Sequence, residues 1–171
     1  MESESAAERC LSAWVDVPAA RERVWAAWTT EAGARTFFAP ACRIDLQPGG
    51  AYEMLFDLEA EAGLQGGEGV QLLTVQPMSM LSFTWNAPPE LPVVRRQRTH
   101  VTVRFAAIDA AATRVRLTHD GWGSGEEWDR AYDYFARAWR LVVLPRLRFR
   151  FEHGPLDWDR LPENLQPAQQ G

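Results

Sequence analysis

The chain has 171 residues and a formal net charge of −5, with 46% hydrophobic and 24% charged residues. This length fits one domain, which buries roughly two-thirds of the surface its unfolded chain exposes and so folds without staples. The acidic balance argues against nucleic-acid binding, and no apolar run approaches the ~18 residues that cross a bilayer.

Met1 to Ser5 is acidic and lacks the apolar stretch of a secretory signal, so a cytoplasmic location is expected. Residues 1–11 read as a flexible arm, 12–152 as the single domain, and 153–171 as a tail whose polar end is expected to be disordered. Ser12 to Val17 predicts a strand. Pro18 then opens a helix on which Val24, Trp25 and Trp28 share a face. A second short helix is expected over Glu31–Phe37, capped by Thr30.

Strands follow. Arg43–Gln47 leads into the turn Pro48-Gly49-Gly50, and over 51–58 the residues Tyr52, Met54, Phe56 and Leu58 are expected to point one way. Glu59–Gly67 reads as a hairpin loop, with strands at Gly69–Gln76 and Leu81–Trp85 joined by a Pro77-Met78 turn. Asn86–Pro92, with three prolines, reads as a loop. Val101, Val103 and Phe105, then Val115, Leu117 and His119, are the inward residues of two further strands.

A long helix is expected from Ser124. Trp128, Tyr132, Phe135, Trp139 and Val142 recur on it at steps of 4, 3, 4 and 3, and Pro145 should kink or interrupt it. Arg146–Phe151 reads either as a further helical piece or as a strand-like extension. Helices on one side of a curved antiparallel sheet make an α+β domain.

Candidate chemistry is sparse. The basic residues number 18 and are all arginine, so Schiff-base and P-loop lysine chemistry are excluded. Cys10 and Cys42 make neither a disulfide framework nor a metal spacing, and His100, His119 and His153 lie far apart, so no metal and no cofactor are expected. His119 reads either as a hydrogen-bonded structural histidine or as a group that orients a ligand or moves a proton. Tyr132 reads either as core or as its polar partner. Glu53 and Asp57 read as a solvated strand face, and the Arg95-Arg96-x-Arg98 cluster reads either as solvated surface, the favoured reading, or as a group that meets an anionic ligand or partner.

Several segments in order carry a resemblance. Val15-Asp16-Val17-Pro18 with the helix to Thr29, Pro48-Gly49-Gly50 before Tyr52-Glu53-Met54, Leu81-Ser82-Phe83-Thr84-Trp85, Thr113 to His119, and Trp128 opening the last helix look like the START-like (SRPBCC) superfamily. Within it they resemble the branch of homologues of the heat-shock ATPase activator. The resemblance covers roughly residues 12–145. It implies a helix-grip fold: a curved antiparallel sheet of six to seven strands wrapped around a long C-terminal helix, with two short helices after the first strand. It departs from the branch in the Arg-, Phe- and Trp-rich stretch from Leu144 to Leu161, and this sequence carries no counterpart of the activators' separate chaperone-binding domain.

The resemblance also implies a cavity for a small apolar or amphipathic molecule. Its expected lining is Phe37, Tyr52, Met54, Phe56, Leu72, Phe83, Trp85, Val101, Val103, Leu117, His119 and Trp122 from the sheet side, with Trp128, Tyr132, Phe135 and Trp139 from the helix. Binding without catalysis is the favoured reading. The alternatives are a small cyclase- or lyase-type enzyme using His119 and Tyr132, or a chaperone-associated or homodimeric interaction module in which Phe149, Phe151 and Trp158 of the tail take part.

Overall fold

Alternation decides the sheet. In the computed structural model, which describes residues 8–171, Val101, Val103 and Phe105 of one strand and Val115, Leu117 and His119 of the next all bury the same face. Their strands, Thr99–Asp109 and Ala112–Asp120, pair antiparallel in a register that sets Val103 opposite Leu117. Numbered in chain order, the strands are β1 (Leu11–Val17), β2 (Ala41–Ile44), β3 (Tyr52–Leu55), β4 (Leu72–Gln76), β5 (Met80–Trp85), β6 and β7 (the pair above), and β8 (Gln169–Gln170). Six of them form one sheet in the order β4-β5-β6-β7-β1-β8, while β2 and β3 form a separate hairpin. The hairpin is stitched to the β4 edge through Tyr52 N–H donating to Val70 O at 2.9 Å. The expected α+β helix-grip architecture is what the chain adopts.

The alternation read through 51–58 stops early. Phe56 and Asp57 both donate their N–H groups to Gln65 O, which bends the backbone out of the extended path. Phe56 and Leu58 consequently stand about half exposed rather than in the core.

Helix α1 (Arg21–Thr29) buries Val24, Trp25 and Trp28 as expected. Thr30 caps α2 (Glu31–Ala34) by accepting from Gly33 N–H at 3.0 Å. The α1–α2 corner is tight: a Cβ on Gly33 would overlap the Ala26 carbonyl oxygen and press on Ala27 Cα. Gly33→Ala is therefore expected to destabilise the fold by about 2 kcal/mol, as overpacking against backbone does. A urea unfolding midpoint checks this.

The proline-rich loop holds a short helix, α3 (Pro92–Arg95), not foreseen in the sequence. Its Val94 N–H is satisfied at 2.6 Å by Glu127, the second residue of the long helix.

That long helix is three pieces: α4 (Glu126–Arg137), a π-helical turn (Ala138–Val143) and α5 (Leu144–His153). The π turn ends just ahead of Pro145, which cannot donate to a carbonyl four residues back. Leu144 N–H reaches instead to Trp139 O, the i to i−5 spacing. The extra residue shifts the stripe. Trp128, Phe135 and Trp139 are buried as expected, but from the end of the turn onward Val143, Leu144 and Leu147 face in, and Val142 turns outward. Arg146–Phe151, left open in the sequence, is helical.

The tail runs back over the domain. Leu156 N–H donates to Thr36 O, Ala168 N–H to Arg140 O, and Gln169–Gln170 pairs with β1 at Ala13 and Trp14. These backbone hydrogen bonds tie the polar segment to the domain. Of the expected N-terminal arm, residues 1–7 lie outside the described residues, while Arg9 pairs with Asp129 at 2.9 Å and lies over the Tyr132 ring. Among the described residues no helix is long and apolar enough to cross a membrane.

Candidate functional site

Beneath the long helix buried side chains pack together, and among them is His119. Its ring is fully buried, with Phe135 at 5.0 Å and Trp122 at 4.2 Å between centroids. Trp139 Nε1, which can only donate, bonds Nδ1 at 3.0 Å, so Nδ1 is the unprotonated nitrogen. Nε2 then carries the hydrogen and donates to Thr99 Oγ1 at 2.6 Å, and the Thr99 hydroxyl donates onward to Trp85 O at 3.3 Å. Burial, with a smaller contribution from His100, pushes the His119 pKa down to about 3, so the ring is neutral. Both nitrogens are committed within the protein.

Tyr132 is not joined to His119. Trp122 stands between them, its ring 5.2 Å from that of Tyr132 and its Nε1 donating to His119 O. Phe37, Tyr52, Met54, Leu72, Phe83, Val101, Val103 and Leu117 are fully buried in the packed interior, and Trp128 is buried against Trp122. The Tyr52 hydroxyl donates to Trp28 O at 2.7 Å, and burial drives its pKa well above the ordinary value.

Four of the expected lining residues do meet open space. Phe56, Trp85, Phe135 and Trp139 border a groove of about 510 Å³ along one side of the long helix. Phe38 joins them from the segment after α2, its ring 5.8 Å from Trp85 and 6.1 Å from Trp139. Leu64, Ala138, Leu141 and Val142 complete the apolar wall. Leu64, Ala138 and Leu141 lie off the inward stripe, and reasoning from pattern misses them. Val142 is on that stripe but outside the expected lining.

Arginines organise the rim. Arg95 donates to Ala87 O at 2.6 Å, Gly63 O at 2.7 Å and Gly66 O at 2.9 Å, and lies 3.6 Å from Glu68. It thereby clamps the β3–β4 loop to the β5–α3 loop, the two walls facing the helix. Arg146 also lines the groove, partly buried, with its guanidinium 5.7 Å from the Trp158 ring centroid. Among the described residues, no group of three or more His, Cys, Asp or Glu side chains could hold a metal ion.

A six-stranded antiparallel sheet gripping a long C-terminal helix, with a groove beside that helix, defines a START-like domain. The family model described as Activator of Hsp90 ATPase homolog 1-like protein matches residues 18–148, and the chain belongs to that family. No curated protein matches the chain. Similar solved structures include a protein from Mesorhizobium loti, 20% identical over 84% of this chain and 94% of that one, with a TM-score of 0.62. The Aha1 dimer from Colwellia psychrerythraea is 16% identical over 85% of this chain and 98% of that one, at a TM-score of 0.62. An HSP90 activator from Plasmodium falciparum is 14% identical over 85% and 96%, at 0.61. At such identities the likeness speaks for the fold alone.

Proposed function

We propose that this protein binds a small apolar or amphipathic molecule in the groove beside the long helix. The observation that carries this reading is the groove itself: about 510 Å³ of space walled by Phe38, Trp85, Phe135 and Trp139. That volume falls within the range of roughly 300–1,000 Å³ typical of small-molecule sites. Rigid aromatic rings offer large contact area at low entropic cost. His119 and Tyr132 enter as packing groups in this reading, because neither borders the groove.

The test fills the groove. Ala138 borders it and is partly exposed, so a larger side chain there projects into the space without displacing core. N-phenyl-1-naphthylamine, a neutral dye that brightens in apolar sites, is expected to bind the wild type saturably. Ala138→Phe should weaken that binding by about tenfold or more, since a loss of about 1.4 kcal/mol of contact energy suffices. Equal dye binding by the variant would place the apolar site elsewhere.

A second reading, a chaperone-associated module, draws on the family and on the half-exposed Phe56, Leu64 and Leu141 at the groove's mouth, an apolar rim of the kind partners cover. Stimulation of a purified Hsp90-type ATPase by the wild type would favour it over ligand binding.

A further inference from the structure

We infer that the molecule held in the groove is an anionic amphiphile, an apolar body ending in a carboxylate, and that Arg146 takes the acidic end. This rests on the binding reading above and assigns its ligand class.

Three arginines border the groove. Arg95 is used on three loop carbonyls and Glu68. Arg137 is exposed, so its charge stays hydrated. Arg146 differs from both. It borders the groove on the first turn of α5, yet among the described residues no carboxylate and no carbonyl accepts a hydrogen bond from its guanidinium. Its guanidinium lies over the face of Trp158, itself fixed by Nε1 donating to Arg35 O at 2.7 Å. The face of a tryptophan offsets part of the charge but accepts none of the five N–H groups.

The acids of the rim are exposed to water. Asp57 is exposed and accepts from Glu59 N–H at 3.1 Å. Glu90 is exposed on the β5–α3 loop; the Tyr134 hydroxyl is pushed up by burial and, to a smaller degree, by the Glu90 charge. Neither acts on Arg146, whose pKa is lowered by burial alone.

A guanidinium partly withdrawn from water without a counter-ion gains most from an arriving carboxylate. The pair forms a planar, two-pronged set of charge-assisted hydrogen bonds. The wall beyond Arg146, with Val143, Trp139, Phe38 and Trp85, is apolar and suits the rest of such a molecule.

The experiment compares decanoate with decanamide, its uncharged isostere, as displacers of N-phenyl-1-naphthylamine at neutral pH. The wild type is expected to favour decanoate by about tenfold, and Arg146→Gln to bind the two alike. Arg146→Lys keeps the charge but lacks the fork, and should fall between. Equal affinities in the wild type overturn the inference, and so does a preference that survives Arg146→Gln. The wild-type comparison stands even if a variant fails to fold. Failure of both displacers also overturns the inference. The binding reading falls with it only if the dye itself is indifferent to Ala138→Phe.

Discussion

Trp28→Ala is expected to cost about 4 kcal/mol of folding stability, whereas Trp28→Phe should cost only about 1 kcal/mol. Trp28 is fully buried where α1 meets the sheet. Its ring meets those of Phe37 at 5.1 Å, Phe38 at 5.3 Å and Phe105 at 6.2 Å, all edge-to-face. Alanine would leave a cavity whose walls belong to separate parts of the fold, so collapse would be poor. Phenylalanine keeps most of the edge-to-face packing. It also removes an indole N–H that has no hydrogen-bond partner among the described residues, so no acceptor is orphaned. The Tyr52 hydroxyl bonds the backbone oxygen of Trp28 and is untouched by either change. Because Phe38 both packs on Trp28 and borders the groove, Trp28→Ala should also weaken dye binding. Chemical denaturation of the three proteins checks the ranking. Equal losses for alanine and phenylalanine would show that the indole nitrogen, not ring volume, holds this corner.

The sheet and the first half of the long helix are legible in the sequence because each is a pattern that burial enforces. Val101, Val103 and Phe105 recur at period two and Trp128, Phe135 and Trp139 at the helical period, and each set has one core to face. The stripe departs from its pattern only past Trp139. The π turn before Pro145 comes from a missing donor acting on the turn upstream, and no periodicity announces that one residue will be added. Phe56 leaves its expected side for a similar reason. One carbonyl, that of Gln65, takes two successive amides across a loop, a backbone event with no side-chain signature.

The groove is harder to see than the grip. Pattern identifies residues that pack; it does not say which packed residues leave space between them. Phe56, Trp85, Phe135 and Trp139 are nameable because they are apolar and face the helix or the sheet. Phe83 and Val103 carry the same signal on the same sheet, yet they fill the interior. Arg146 sits in a run whose helical state the sequence leaves open, so its facing toward the groove could not be assigned. The tail is unreadable for the opposite reason: its docking at Thr36, Arg140 and β1 uses backbone groups that every residue carries.

Between pH 7 and pH 5 the wild type is expected to lose about 2 kcal/mol of stability through His119 alone. The ring's pKa falls from the ordinary 6.5 to about 3 in the folded protein, chiefly because burial penalises the charged form. As pH drops below 6.5 the unfolded chain takes the proton first, so the unfolded state binds more protons and stability falls. The contribution is complete above about pH 6.5 and is lost progressively down to about pH 3, where the loss amounts to as much as about 5 kcal/mol. The hydrogen-bond chain gives this a structural cause. A proton on Nδ1 would meet the Trp139 N–H head-on, and no acceptor stands ready to replace the lost bond. His119→Gln, which cannot titrate, should be less stable at pH 7 but should lack this component of the decline toward pH 5. Urea unfolding of both proteins across that interval measures the difference. Ring resonances of His119 should stay those of a neutral imidazole with hydrogen on Nε2 throughout. A ring that titrates near 6.5 in the folded protein would show that the chain from Trp139 to Trp85 is not closed, and would return His119 to the groups free to meet a ligand.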